Sequence, residues 1–192
     1  YLKAIRADCD KYGVMLILDA VMCGMGRTGH LFACAEDEVA PDLLTIAKGL
    51  GAGYQPIGAM LASSKIYNTI VNGSGFFQHG HTYMGHATAC AAALAVQKVI
   101  ERDQLLQNVT ERGQQLRDEL HAALDAHPNV GNIRGRGLMV GIEFVADKTT
   151  KAPLNHTEKT HAKLRKVAME KGLLMYPMGG TVDGVHGDHV LL

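Results

Sequence analysis

A chain of 192 residues with 47% hydrophobic and 20% charged residues carries enough apolar material for a buried core, which excludes a disordered or fibrous protein. The 19 basic and 19 acidic residues cancel, leaving no electrostatic footprint for nucleic acid or an anionic membrane surface. The longest apolar stretches, Val14 to Leu18 and the alanine-rich run around Cys90, fall far short of the roughly 20 residues that span a bilayer, so partners are expected among small molecules or proteins.

In chain order, Leu2, Ile5, Cys9 and Tyr12 recur at helical spacing and Gly13 supplies the stop. The helix is already under way at Tyr1, with neither an initiator Met nor signal-peptide architecture. Continuous apolarity in Val14 to Asp19, Asp42 to Lys48 and Ile57 to Ser63 predicts strands covered on both faces, as in the mostly parallel sheet of an α/β domain. From His86 to Leu124 alanine and leucine dominate, and Leu116, Leu120 and Leu124 recur every four residues, which predicts a connecting helix pair.

Asn132 to Asp147 alternates apolar and small residues like a sheet strand. Thr160 to Gly172 reads as an amphipathic helix with Leu164 and Val167 inward, and Gly172 to Met178 opens another strand. The last residues, Gly187 to Leu192, also read as a strand, whose apolar side chains would be bare at an exposed edge. Together the two ends predict a piece of a longer chain, truncated at both termini. Two parts are expected: a sheet-based region over 1–105 and a smaller α+β region over 106–192. The four cysteines, Cys9, Cys23, Cys34 and Cys90, show no CxxC spacing and sit in apolar or alanine-rich surroundings. They predict reduced, partly buried thiols in a cytoplasmic protein.

Three motifs compete for chemistry. Gly24 to Gly29, GMGRTG, has the spacing of a dinucleotide fingerprint. Four residues separate it from Asp19, however, and the segment after it is halted by Pro41 before a crossover helix can form, which argues against that reading. His79, His81 and His86 are closely spaced, yet no carboxylate or cysteine joins them at metal-site spacing. Asp19 and Lys48 each close an apolar strand, and glycines at 49, 51 and 53 follow the lysine. Alone, each charge reads as the first solvated turn residue. As a pair at the carboxyl ends of neighbouring strands they face one crevice, where ligands of open α/β sheets bind.

The stretch LILDAVMCGMGRTGHLFACAEDEVAPDLLTIAKGLGAGYQPIGAML, with HGHTYMGHATACAAALA and IRGRGLMVGIEF after it, resembles the class III aminotransferases, fold-type I enzymes dependent on pyridoxal 5′-phosphate (PLP). The resemblance covers essentially the whole chain and implies residues 1–105 from the C-terminal part of the large PLP-binding domain and 106–192 from the small C-terminal domain. It implies that Lys48 forms the Schiff base with the cofactor aldehyde and shuttles a proton at the substrate carbon, which needs an amine partly deprotonated near neutral pH. Asp19 would pair with the pyridine nitrogen and keep the ring an electron sink. Val21, on the same side as Asp19 in an extended segment, would pack against a ring face. Thr82 would reach the cofactor phosphate of a neighbouring subunit, implying a homodimer with shared sites.

The implied activity is transfer of an amino group from an amine or ω-amino acid to a 2-oxo acid such as pyruvate. An aminomutase of the same fold and an inactive homologue acting as a dimerising protein stay open as alternatives. Departures from the family are Ala20 where Glu is usual, Met22 where Gln is frequent, and Leu191 where an arginine binds substrate carboxylate in ornithine-type members. Arg134 and Arg136 suit either a carboxylate or a brace between domains. The family's phosphate-cradling loop and ring-stacking aromatic belong upstream of the matched stretch, so these residues by themselves are expected to bind the cofactor poorly and to be inactive.

Overall fold

The computed structural model describes residues 1–192, which form two compact units, Tyr1–Asn108 and Val109–Leu192. In the first, α1 (Leu2–Tyr12) ends at Gly13, whose φ of 67° is the left-handed conformation that terminates a helix. Strand β1 (Ile17–Asp19) lies parallel to β2 (Leu43–Ile46), and β3 (Ala59–Ala62) runs antiparallel to β2, giving a mixed sheet in the order β1-β2-β3.

β1 is half as long as its apolar run. The backbone N–H of Leu16 donates to the Asp42 carboxylate at 2.8 Å instead of joining the ladder, and the Leu16 carbonyl accepts from both Asp42 and Leu43. Arg6 of α1 clamps the same carboxylate at 2.8 Å, so this one side chain ties the helix to the entry of both strands. The core on this side is Ala20, Leu44 and Ile46, packed by Leu18, Met25, Phe32 and Leu50. Coverage on both faces is not found within this chain. Ile17 is 60% exposed and every residue of β3 is exposed, because no element of these residues packs over that side. Continuous apolarity reports a strand's composition, not which neighbour covers it. Helix α2 (Ser64–Asn72) follows β3, and α3 (Ala87–Arg102) leads to α4 (Leu105–Leu124) through a break at Asp103 and Gln104, the latter at φ 51°.

The second unit is built on an antiparallel four-stranded sheet, β4-β5-β7-β6. The segment expected as one strand is a hairpin, β4 (Val130–Arg136) and β5 (Met139–Phe144), with Arg136 opposite Met139. Gly137, at φ 54°, supplies the left-handed residue of the two-residue turn, which alternation alone did not reveal. Strand β6 (Tyr176–Gly179) begins four residues later than the run that predicted it. The terminal strand β7 (Asp188–Leu191) is not an exposed edge. It pairs with β5 on one side and β6 on the other, and Val190 is 1% exposed.

Val130, Ile133, Val140, Ile142 and Val190 form this core, against which Leu116, Leu120 and Leu124 of α4 pack, so the four-residue leucine spacing marks the buried stripe. On α5 (Thr160–Glu170) the inward face is His161, Leu164 and Ala168, whereas Val167 is exposed. His161 lies on that face because its Nδ1 sits 2.6 Å from the carboxylate of Asp188, which also accepts the His161 backbone N–H at 3.1 Å. This pairing satisfies a buried aspartate and seats the start of α5 on the sheet.

Two outcomes test this account. The Asp42 carboxyl is held below its ordinary range, first by the Leu16 N–H and then by Arg6. A depressed folded value stabilises above the unfolded value of 3.8 and is lost as the pH falls through the folded one. The urea midpoint should therefore drop more steeply below about pH 4 in the parent chain than in Asp42→Asn. Gly113 lies on α4 where a Cβ would collide with the Gly137 backbone. Gly113→Ala, which usually stabilises a helix by about 1 kcal/mol, should instead destabilise by about 1–3 kcal/mol in urea unfolding.

Candidate active site

The candidate site stands at the carboxyl ends of β1 and β2, where the parallel register sets Asp19 opposite Thr45. Asp19 Oδ1 accepts the Val21 backbone N–H at 2.9 Å and the Thr45 hydroxyl at a longer 3.5 Å. The first bond is an aspartate turn that reverses the chain as it leaves the strand. Ala20 keeps one further ladder bond, its N–H donating to the Thr45 carbonyl at 2.9 Å, and its methyl is buried in the core. Val21 consequently lies in a turn. The extended geometry expected to set it beside Asp19 is replaced by the backbone bond to the carboxylate itself.

Lys48 does not end β2. It opens a 3-10 turn, Lys48–Leu50, two residues beyond the strand. Its φ of 44° is left-handed, a conformation that costs a non-glycine residue about 1 kcal/mol and that gathers at functional positions. The amine Nζ donates to the Met22 sulfur at 2.7 Å. Met22 stands three residues after Asp19, so the amine is held at the same end of the sheet as the carboxylate.

The glycines after Lys48 serve the protein's own packing. A Cβ on Gly49 would lie 3.0 Å from that of Met25, and one on Gly51 would meet the Gln55 carbonyl at 2.5 Å. Gly51 thus leaves no room for a side chain, whereas at Gly49 the Met25 side chain would have to give by a few tenths of an ångström.

The structure thus brings together Asp19, Val21, Met22, Thr45 and Lys48. Thr82 lies apart, exposed in a turn that makes no hydrogen bond to any of them. Thr45 and Met22 as partners of the two charged groups were missed by sequence reasoning. The signal for Thr45 was the register of two parallel strands, which a single sequence does not state. The Gly24–Gly29 segment is a run of turns followed only by a three-residue 3-10 helix, Ala33–Ala35, so it offers no crossover helix to a dinucleotide.

Of the three histidines, His86 accepts the Ala89 N–H with its Nδ1 at the start of α3, and His79 stacks edge-on to Phe77. Arg134 pairs with Glu143 across the β4–β5 hairpin at 2.9 Å. All four cysteines are free, with Cys34 buried, Cys9 and Cys23 half-buried, and Cys90 exposed rather than sheltered by its alanines. Burial pushes the Cys34 thiol up from its ordinary value. Chemically, the site offers an anion with one oxygen engaged and Oδ2 open to a cationic partner, beside a primary amine that can add to a carbonyl carbon.

The family model described as class III aminotransferase matches residues 1–185. An aminotransferase of Gibberella zeae is 50% identical over 98% of this chain and 37% of its own length. A taurine–pyruvate aminotransferase of Bilophila wadsworthia is 41% identical over 80% of this chain and 35% of its own. The solved structure of an amine transaminase from an uncultivated Pseudomonas species, in a PLP-bound form, superposes with a TM-score of 0.89 at 38% identity, covering 100% of this chain and 42% of that one. The chain therefore spans well under half the length of these relatives.

Asp19→Ala should release both donors and lower unfolding stability by about 0.5–1 kcal/mol, whereas Asp19→Asn, which keeps a carbonyl acceptor, should retain most of it; urea denaturation of the two variants decides.

Proposed function

The chain belongs to the class III aminotransferases, and on that premise we propose that the protein transfers an amino group from a primary amine or ω-amino acid to a 2-oxo acid such as pyruvate, with PLP as cofactor. The observation that carries this is the placement of Asp19 and Lys48 at the same end of a parallel strand pair, Asp19 bonded to Thr45 and Lys48 lying against Met22. The donor set fits the group. The open Oδ2 of Asp19 suits a protonated ring nitrogen, and a primary amine suits an aldehyde. When bound, PLP supplies an electrophilic aldehyde and a ring that accepts the electrons of a broken carbon–hydrogen bond.

The residues have separable tasks. Lys48 would hold the group through its aldehyde, and its Nζ, when free, would take and return the proton at the amine-bearing carbon. Asp19, oriented by the Val21 N–H and the Thr45 hydroxyl, would hold the proton on the ring nitrogen. Val21 is proposed to cover one ring face, as an apolar branched side chain can. Thr82, exposed in its turn, is proposed to donate its hydroxyl to the cofactor phosphate of a second subunit, which makes the working unit a homodimer.

The relative named for taurine and pyruvate supports an amine donor with a 2-oxo acid acceptor. Leu191, the exposed last residue of β7, opposite Gly141 and Tyr176, offers no charge to a substrate carboxylate and favours the amine side of that choice. No helix is long and apolar enough to cross a membrane, and the four free cysteines support a reducing compartment, for which we propose the cytoplasm.

The test is full-length protein with PLP, pyruvate and a nitrogen-labelled primary amine. Labelled alanine is expected, with none from Lys48→Ala and a rate lowered about a thousandfold in Asp19→Ala. A product that keeps its nitrogen on the donor skeleton would identify a mutase, and absence of both PLP binding and product in the full-length protein would sink the transfer reading.

A further inference from the structure

Two histidines far apart in the sequence meet within the second unit. His156 opens a 3-10 turn, His156–Glu158, just ahead of α5, and His186 stands near the end of the loop between β6 and β7. Their ring centroids are 4.9 Å apart and the ring planes cross at 83°. Two imidazoles on one tetrahedral zinc ion, each nitrogen about 2.0–2.1 Å from the metal, set their centroids about 5 Å apart, so this spacing suits a shared ion. We propose that His156 and His186 form a binding site for a divalent transition-metal ion such as zinc.

The His186 ring is held in a way that suits a ligand. Asp183 Oδ1 accepts the backbone N–H groups of Val185 at 2.9 Å and His186 at 2.7 Å, and its Oδ2 lies 2.8 Å from His186 Nδ1. A carboxylate on Nδ1 keeps the ring proton there and leaves Nε2 as the nitrogen that can ligate, the outer-shell arrangement usual for metal-binding histidines. The loop itself is closed by the Val182 N–H on the His186 carbonyl at 2.9 Å and the Gly184 N–H on the Gly180 carbonyl at 3.0 Å. Across from it, Asn155 Oδ1 accepts both the N–H of Thr157 at 3.1 Å and its hydroxyl at 2.8 Å, which fixes the turn that carries His156. His156 is exposed, and the contact its ring makes is with His186.

The donor set selects the cation. Imidazole nitrogens suit zinc, copper or nickel, whereas calcium and magnesium ask for oxygens, and the nearby carboxylate is engaged by Nδ1. No three His, Cys, Asp or Glu side chains converge as a metal-holding group. The remaining positions of a tetrahedral ion therefore fall to water, and the ion exchanges readily. A carboxylate on Nδ1 is not sufficient by itself: His121 Nδ1 lies 2.9 Å from Asp125, yet no second imidazole stacks on it. Bound between His156 and His186, the ion ties the β6–β7 loop to the entry of α5.

The experiment uses full-length protein without a histidine tag, titrated with zinc against a chromophoric chelator. Zinc should bind about a hundredfold more weakly in His156→Gln or His186→Gln and about tenfold more weakly in Asp183→Asn. Copper in place of zinc should show coupling to two imidazole nitrogens by electron paramagnetic resonance, and to one in either single histidine variant. A footprint with diethylpyrocarbonate, read by peptide mass mapping, needs no variant: zinc should shield His156 and His186 together and leave His121 open. Equal zinc binding in the double variant His156→Gln/His186→Gln, zinc-loaded protein in which both rings still react, or no binding up to millimolar zinc would overturn the proposal. None of these readouts depends on the cofactor, so the metal site and the transfer reading stand or fall separately.

Discussion

The parallel pairing of β1 with β2 is the constraint from which the site follows. Because Ile17 stands opposite Leu43, Asp19 must stand opposite Thr45, and both chains leave the sheet at the same end. A shift of one residue would turn the Asp19 carboxylate to the opposite face and part it from the Thr45 hydroxyl. The register is itself held from the other end by Asp42, which binds the Leu16 N–H and the Arg6 guanidinium where the two strands begin. One carboxylate at the entry of the sheet and another at its exit therefore act on the same pair of strands, the first structurally and the second as the anion of the proposed site.

Around that pair the backbone is under tension that simple strand termination would not require. Lys48 adopts a left-handed φ, and Gly51 after it approaches the Gln55 carbonyl too closely for a Cβ. Such strain persists only where the surroundings over-determine it. Here the surroundings are a small core in which Ala20 fills the space behind the turn. The Asp19 carboxylate remains anchored by one main-chain and one hydroxyl donor.

The second unit rests on different physics. Its sheet is wholly antiparallel, its core is one layer of Val and Ile beneath the leucine stripe of α4, and its buried carboxylate, Asp188, is hydrogen-bonded by His161. The first unit's sheet leaves apolar side chains such as Ile17 and Met60 in water, while the second buries Val140, Ile142 and Val190 on its two inner strands. Uncovered strand faces and a closed core coexist in one chain.

Much of this was written in the amino-acid order. Helix stops at Gly13 and Gly172, the α3–α4 pair and the leucine spacing depend on local propensity and on a 3.6-residue period, which any stretch of chain carries within itself. The family motifs fixed Asp19 and Lys48 as the residues to watch for the same reason, since residue type and spacing are local. Tertiary structure alone decided what depends on a partner strand or a distant segment. It made β3 antiparallel, folded Asn132 to Asp147 into a hairpin, placed β7 inside its sheet and turned Val167 outward in favour of His161. It also set Thr45 on the carboxylate and Met22 on the amine. Those contacts join residues 26 positions apart, and a pattern read along the chain holds no record of which strand will lie beside which.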